Sequence, residues 1–367
     1  MLVFKAKQPI LLNHSLMKAP TTQKPKPAVT TEDIARRTGL SKMTVSRVLN
    51  NHPYVSVETR KKVMDAVKDL GFRPNTLAKR FFTGKTRLVG LIIPIEYMFS
   101  SFYFKELFQG VLECAEEKEY DILLHNSTSP RKTPIEKCLD LVQGKLVEGL
   151  LVAAPMTYDD YPLRLTHESI ALVVLGETSC GDKVNRVIIP NRAGAADAVG
   201  RLIKAGHRRI AIATFGPDHV ESKERFLGYR DALQSGGIAY DESLVVPAEY
   251  NRRDAFKGVR ELMKTHPDVT AIFACNADMA LGAADALFSL NLSMPTDVSV
   301  VAFDDCDEME DHEPPIAAVR QFPYKLGYAA CEMLLKTLAT DSRPKKPQSK
   351  IIETEFMERL SMGPARK

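Results

Sequence analysis

No apolar run in this chain approaches the ~18 residues that a membrane-spanning helix needs. The N-terminal stretch MLVFKAKQPILLNHSLMKAP is basic, but Asn13 and His14 interrupt its short apolar part and no small-x-small cleavage site follows. A signal peptide is therefore not expected. The six cysteines are scattered, with no CxxC and no histidine at ligand spacing, so neither a disulfide framework nor a zinc site is expected. They read as small core residues of a protein in a reduced compartment. The eight histidines form no HExxH. Also missing are GxSxG, a GxGxxG opening a helix, and paired carboxylates at a convincing spacing. These absences point away from an enzyme and from any resident metal or cofactor, toward a cytoplasmic binding protein.

What is present is 367 residues, enough for two or three domains with full-sized cores. A hydrophobic fraction of 44% beside 26% charged residues is ordinary for a globular chain. The net charge of +4 hides an asymmetry. Residues 1–85 carry 17 Lys+Arg against 5 Asp+Glu, or +12, and the remainder carries 33 against 41, or −8. A basic head on an acidic body suggests that only the head meets a polyanion. Residues 1–28, rich in Lys and Pro toward their end, read as a disordered basic tail.

VTTEDIARRTGLSKMTVSRVLN is the most informative stretch. Thr30 can cap a helix, with Asp33 completing a capping-box-like pair. Gly39 can take the left-handed conformation that ends it, and Ser41 caps a second helix two residues later. Val45, Val48 and Leu49 face inward there, while Lys42, Met43, Ser46 and Arg47 face out. Two short helices joined by so tight a glycine-containing turn form a helix-turn-helix. A third helix, capped by Ser56 and ended by Gly71, repeats Val63, Ala66, Val67 and Leu70 at helical spacing.

From Arg87 onward short apolar runs such as LVGLIIP and VSVVAFDD alternate with amphipathic stretches such as FKELFQGVLECAEEKE. Runs of that kind suit strands buried on both faces. Repeated β-α units imply two doubly wound parallel-sheet lobes with a cleft at the carboxyl ends of their strands. The fold class is thus a small all-α helix-turn-helix headpiece plus an α/β body of two such lobes, in the manner of periplasmic binding proteins.

The segment from Thr30 to Thr86 resembles the headpiece of the lactose-repressor (LacI-type) family of bacterial transcription regulators. The matching elements are D-[IV]-A, G-[LV]-S, T-V-S-R-V-[LV]-N, V-S-x-x-T-R-x-x-V and [FY]-x-P-N-x-x-A. The body is similar to the same family at NRAGAADAVGRLIKAGHRRIA, ERFLGYRDAL, CNADMALGAADAL, DVSVVAFDD and VRQFPYKLG. The domain division that follows is 29–74 headpiece, 75–86 hinge helix and linker, and 87–367 effector-binding and dimerisation body. Its first lobe would take about 87–189 plus part of 319–367, and its second about 190–318.

The resemblance places the second helix in the major groove of a pseudopalindromic operator. Lys42, Met43 and Arg47 would then read bases, and Ser41, Thr44, Ser46 and Asn50 would position the helix on phosphates. NTLAKRFFTGKT, which superficially suggests a phosphate loop, fails that pattern because Lys79 stands where the first glycine is required. It corresponds instead to the hinge helix that enters the minor groove. Asn75 caps it, Ala78 lies on its contact face, and Phe81 stands where the family's wedging leucine is usual.

In the body, Asn276 and Asp304 end strands at the cleft and Arg225 lies at the family's effector-binding arginine, while Tyr103, Phe104 and Tyr250 fall where family members place aromatic rings against the ligand. Asp305, beside Asp304, reads as structural. The family implies a homodimer and a small-molecule effector, most commonly a carbohydrate. Three positions depart from its pattern: Pro190-Asn191 replaces D-N, Ala302 replaces a glycine, and IEYMFSS lacks an expected acid. An exported sugar-binding protein shares the two-lobed architecture and is the competing expectation; it has no use for a basic headpiece.

Overall fold

The computed structural model describes residues 29–50, 52–72, 86–94, 102–128, 131–153, 159–168, 170–216, 218–249, 251–340 and 346–366. The chain separates into a unit within residues 1–79 and a larger one spanning 80–367.

The small unit contains three helices: α1 (Thr31–Thr38), α2 (Lys42–Leu49) and α3 (Val57–Leu70). Local chemistry starts and stops each of them. The Thr30 hydroxyl accepts from the Asp33 N–H, and the Asp33 carboxylate accepts from the Thr30 N–H at 2.9 Å. This reciprocal pair satisfies donors that the first turn of α1 would otherwise leave unmade. Gly39, at φ 68°, turns the chain out of α1, and the Ser41 hydroxyl accepts the Thr44 N–H at 3.1 Å to open α2. Ile34, Val45, Val48, Val63 and Ala66 interlock as a core no more than 5% exposed. Arg60 of α3 donates to the His52 carbonyl at 3.0 Å and so holds the turn that follows α2.

The large unit holds two six-stranded sheets. The first has the order β11-β5-β4-β3-β1-β2, where β1 is Leu88–Ile93, β2 Asp121–Asn126, β3 Gly149–Ala153, β4 Leu172–Leu175, β5 Arg186–Ile188 and β11 Ser349–Ile351. The second has the order β12-β10-β9-β8-β6-β7, with β6 Ile210–Thr214, β7 Val245–Pro247, β8 Ala271–Ala274, β9 Ser299–Phe303, β10 Ala317–Arg320 and β12 Glu355–Met357. All pairings are parallel except β12 on β10, an antiparallel edge. The central strands β3, β4, β6, β8 and β9 are buried along their whole length, as sheets covered by helices on both faces require.

The chain passes between the sheets after β5, after β10 and between β11 and β12. Helix Pro323–Ala339 follows the second passage and packs on helix Phe102–Glu117 of the first lobe. Their approach depends on glycine. A Cβ at Gly327 would collide with the backbone carbonyl of Leu107, and one at Gly110 with that of Tyr324. Gly327→Ala must push the helices apart, and the expected cost is about 1–3 kcal/mol, read as a lower melting temperature. An unchanged melt would show that the crossing is not close-packed.

The C-terminal residues are sewn to the second lobe. The Ser361 hydroxyl donates to the Val300 carbonyl at 2.6 Å and accepts from the Ala317 N–H at 2.8 Å. His207, whose pKa burial lowers, bridges Thr270 and the Gly363 carbonyl.

Candidate functional site

On the headpiece, α2 turns Val45 and Val48 into the core and leaves Ser41, Lys42, Met43, Ser46, Arg47 and Asn50 exposed, with Thr44 half-buried. This division follows from helical geometry: residues three and four apart share a face. Met43 is 65% exposed and takes no part in the headpiece core. The Lys42 ammonium meets the Glu32 carboxylate of α1 at 2.7 Å, but both side chains are more than half exposed. Such a pair is worth ~0–1 kcal/mol, so a phosphate or a guanine edge can displace it. Asn50 caps α2 and its amide donates to the Ser46 hydroxyl at 3.3 Å, so these two lie together at one end of the exposed face. Asn75, Ala78 and Phe81 lie outside the described residues.

In the body, a cleft of about 340 Å³ opens between the lobes. Phe102, Tyr103 and Glu106 reach it from the start of helix Phe102–Glu117. Asn276 and Asp304 reach it from the carboxyl ends of β8 and β9, and Gln321 and Phe322 from the passage after β10. Asn276 is held in place by its capping duty, its side-chain oxygen accepting the Met279 N–H at 2.7 Å. Asp304 has a left-handed backbone, φ 89°, which costs a non-glycine residue ~1–3 kcal/mol. Its N–H, donating to the Val319 carbonyl at 3.0 Å, helps to hold it there.

Arg225 is buried and does not line the cleft; it supports it. Its Nε donates to Asn191 Oδ1 at 2.8 Å, its Nη1 donates to the Cys275 carbonyl at 2.5 Å, and its guanidinium lies 4.0 Å over the Phe303 ring. Nη1 is 3.7 Å from Asp304 Oδ1, close enough to attract but beyond a hydrogen bond. Asp304 Oδ1 is therefore buried without a hydrogen-bond partner. Burial pushes the Asp304 carboxyl up to about 7 against the downward pull of Arg225. Gln321, 3% exposed, likewise leaves its Nε2 with no partner. One acceptor and one donor thus stand unmatched at residues that line one cleft.

Of the aromatic candidates, Tyr103 lines the cleft, and burial raises its phenol well above the ordinary range. Phe104 packs edge-on to it at 5.3 Å but belongs to the first-lobe core, away from the cleft lining. Tyr250 lies outside the described residues. Asp305 is held by Arg320 at 2.7 Å and Arg359 at 2.5 Å with its side chain 2% exposed, an ion-pair knot that ties the C-terminal segment to β10. Sequence patterns gave no separate notice of Gln321, Glu106 or Asp278. The VRQF stretch contained the first, but its unmatched amide is a property of the packed structure. The six cysteines are free and buried, and no cluster of metal-binding side chains occurs among the described residues. No helix among them is long and apolar enough to cross a membrane.

A helix-turn-helix headpiece attached to a two-lobed, cleft-bearing body defines the class of DNA-binding transcriptional regulators. Residues 30–75 match the bacterial regulatory proteins of the lacI family, and residues 199–362 match a periplasmic binding protein-like domain. HTH-type transcriptional regulator RegA of Clostridium saccharobutylicum is 31% identical over 336 residues, covering 91% of this chain and 99% of RegA. HTH-type transcriptional regulator CelR of Thermobifida fusca is 32% identical over 337 residues, covering 90% and 98%. A solved CelR–cellobiose complex superposes with a TM-score of 0.70 at 31% identity, covering 91% of this chain and all of that one. A lac repressor dimer bound to operator and an anti-inducer superposes at 0.81 with 22% identity, covering 91% and 99%, which shows a shared fold. The chain belongs to the lacI family of bacterial regulatory proteins.

Proposed function

We propose that this chain is a cytoplasmic, repressor-type regulator that binds a pseudopalindromic operator as a homodimer. A polyhydroxylated small molecule, a sugar or sugar derivative, would tune that binding from the cleft. The unmatched Asp304 acceptor and Gln321 donor carry the ligand half of this reading, because hydroxyls can satisfy both kinds of group, donating to a carboxylate and accepting from an amide. The cellobiose named with the CelR structure and the operator and dimer named with the lac repressor structure support it. Lys42, Met43 and Arg47 are assigned to base edges, and Ser41, Thr44, Ser46 and Asn50 to the backbone. Coupling between the two sites is of the order of 1–3 kcal/mol in such systems.

The decisive experiment compares the full chain with residues 87–367 alone. A binding-site selection with the full protein should enrich a palindrome, and a lone half-site should bind far more weakly. The shortened protein should lose DNA binding altogether while keeping the melting shift that a cleft ligand produces. Retained DNA binding by residues 87–367, or equal affinity for the half-site, would overturn this assignment.

A further inference from the structure

We infer that the cleft is built for a ligand carrying a protonated amine as well as hydroxyls, an amino sugar in chemical class, and that it rejects phosphorylated or carboxylated sugars. This rests on the reading of the cleft as an effector site and specifies its ligand. Glu106, Asp278, Asp304, Asp307, Glu308 and Glu310 all line the cleft. The lining cation among the described residues is Arg320, and its guanidinium is already committed to Asp305 at 2.7 Å. Nearby cations stand outside the lining: Arg225, 3.7 Å from Asp304; Arg359, 3.4 Å from Glu310; Lys105 beside Glu106; and Lys325, whose ammonium lies 4.0 Å over the Phe322 ring.

The acids crowd one another. Burial and the charges of Asp307 and Asp305 hold the Glu106 carboxyl above its ordinary range. Burial and Glu308 do the same to Asp278, against the pull of Arg252. An arriving cation relieves that repulsion, and an arriving anion deepens it. Acidic rims alone are commonplace on solvated surfaces. Here the rim belongs to a cavity with Gln321 buried at 3% exposure and its Nε2 unmatched, which marks the cavity as made for a ligand. Phe102, Tyr103 and Phe322 supply apolar and π surface, which suits both a pyranose face and an ammonium group.

The test uses the full-length protein and matched triplets: glucose, galactose and mannose, each beside its 2-amino-2-deoxy derivative and its 6-phosphate. Affinities are read by calorimetry at pH 7.5. At least one amino sugar should bind ten-fold or more tightly than its parent. That advantage should shrink as NaCl rises from 50 to 500 mM, and in the Asp307→Asn/Glu308→Gln variant, whose altered residues are both exposed. Every phosphate should bind more weakly than its parent. Neutral parents that bind with no gain from the amine, or a phosphate that matches its parent, would overturn this inference alone. Absence of binding by every member would overturn it together with the receptor reading.

Discussion

Replacing Arg225 with methionine should unfold the body at a markedly lower temperature and abolish ligand binding, with a loss of roughly 3–5 kcal/mol in stability at neutral pH. The size of the effect comes from what is left behind. Arg225 satisfies Asn191 Oδ1 and the Cys275 carbonyl, both in buried surroundings, and it is the cation nearest Asp304. Methionine fills much of the space but donates nothing, so three acceptors lose their donor or counter-charge. Asp304 would then be protonated to a still higher pH, and Asn191 would be free to turn. Arg225→Lys should restore part of the stability without the ligand affinity, because an ammonium cannot reproduce the guanidinium's forked donation. A differential melt with calorimetric ligand titration checks both variants. Methionine melting within about 2 °C of the parent protein would show that the Arg225 contacts together carry no net energy.

The affinity of an uncharged hydroxylated ligand should rise about ten-fold per pH unit below pH 7 and level off above it, through Asp304. The Asp304 carboxyl titrates at about 7, and a ligand hydroxyl or amine needs it ionised to accept. The groups that face it set this value: burial is the main cause, Arg225 opposes it, Asp278 adds to it, and the Ala277 N–H lowers it slightly. Stability runs the other way. Because the folded value is raised from 3.8, the folded chain keeps a proton that the unfolded chain releases between about pH 4 and 7. That contribution is full below pH 4 and lost as pH climbs through 7, with an upper bound of ~4 kcal/mol for a shift of this size. Asp304→Asn should therefore melt higher than the parent at pH 8 and show no such advantage at pH 4. It should also bind the ligand weakly and without pH dependence. A variant as pH-dependent as the parent would assign the titration to Glu106 or Asp278 instead.

Asp304 carries an unfavourable backbone angle, an unmet hydrogen bond and a costly burial, and Arg225 supplies part of what holds it in place. Asp305, one residue later, is fully matched by two arginines and serves the fold. Adjacent identical residues thus have opposite energetic roles. One stands unmatched at the cleft, and the other secures the packing of the C-terminal segment.

Much of the architecture was legible in the chain itself, because its signals are local. Thr30, Gly39, Ser41, Ser56 and Gly71 start and stop the headpiece helices through their own side chains or their own backbone freedom, and the structure uses each of them so. Apolar runs such as VSVVAFDD announced buried parallel strands, and one, β9, lies inside that run. The exposed face of α2 followed from helical periodicity alone. The three-residue strands β7, β11 and β12 were not legible, since so short an edge has no period to display and exists only by pairing.

The site divides in the same way. Residue types and their order marked Arg225, Asn276 and Asp304, but did not reveal that Arg225 stands outside the cleft lining while Asn276 and Asp304 line it, nor that Phe104 turns into the core. Gln321 lacks a partner, and Glu106 shares a cavity with Asp307, because the chain passes between the lobes and brings distant segments together. Caps, turns and amphipathic faces are set by neighbours within a few residues, so the sequence by itself determined them. Unmet hydrogen bonds, buried charge and the sign of the cleft depend on what many distant residues exclude from water, and only the tertiary structure decided those.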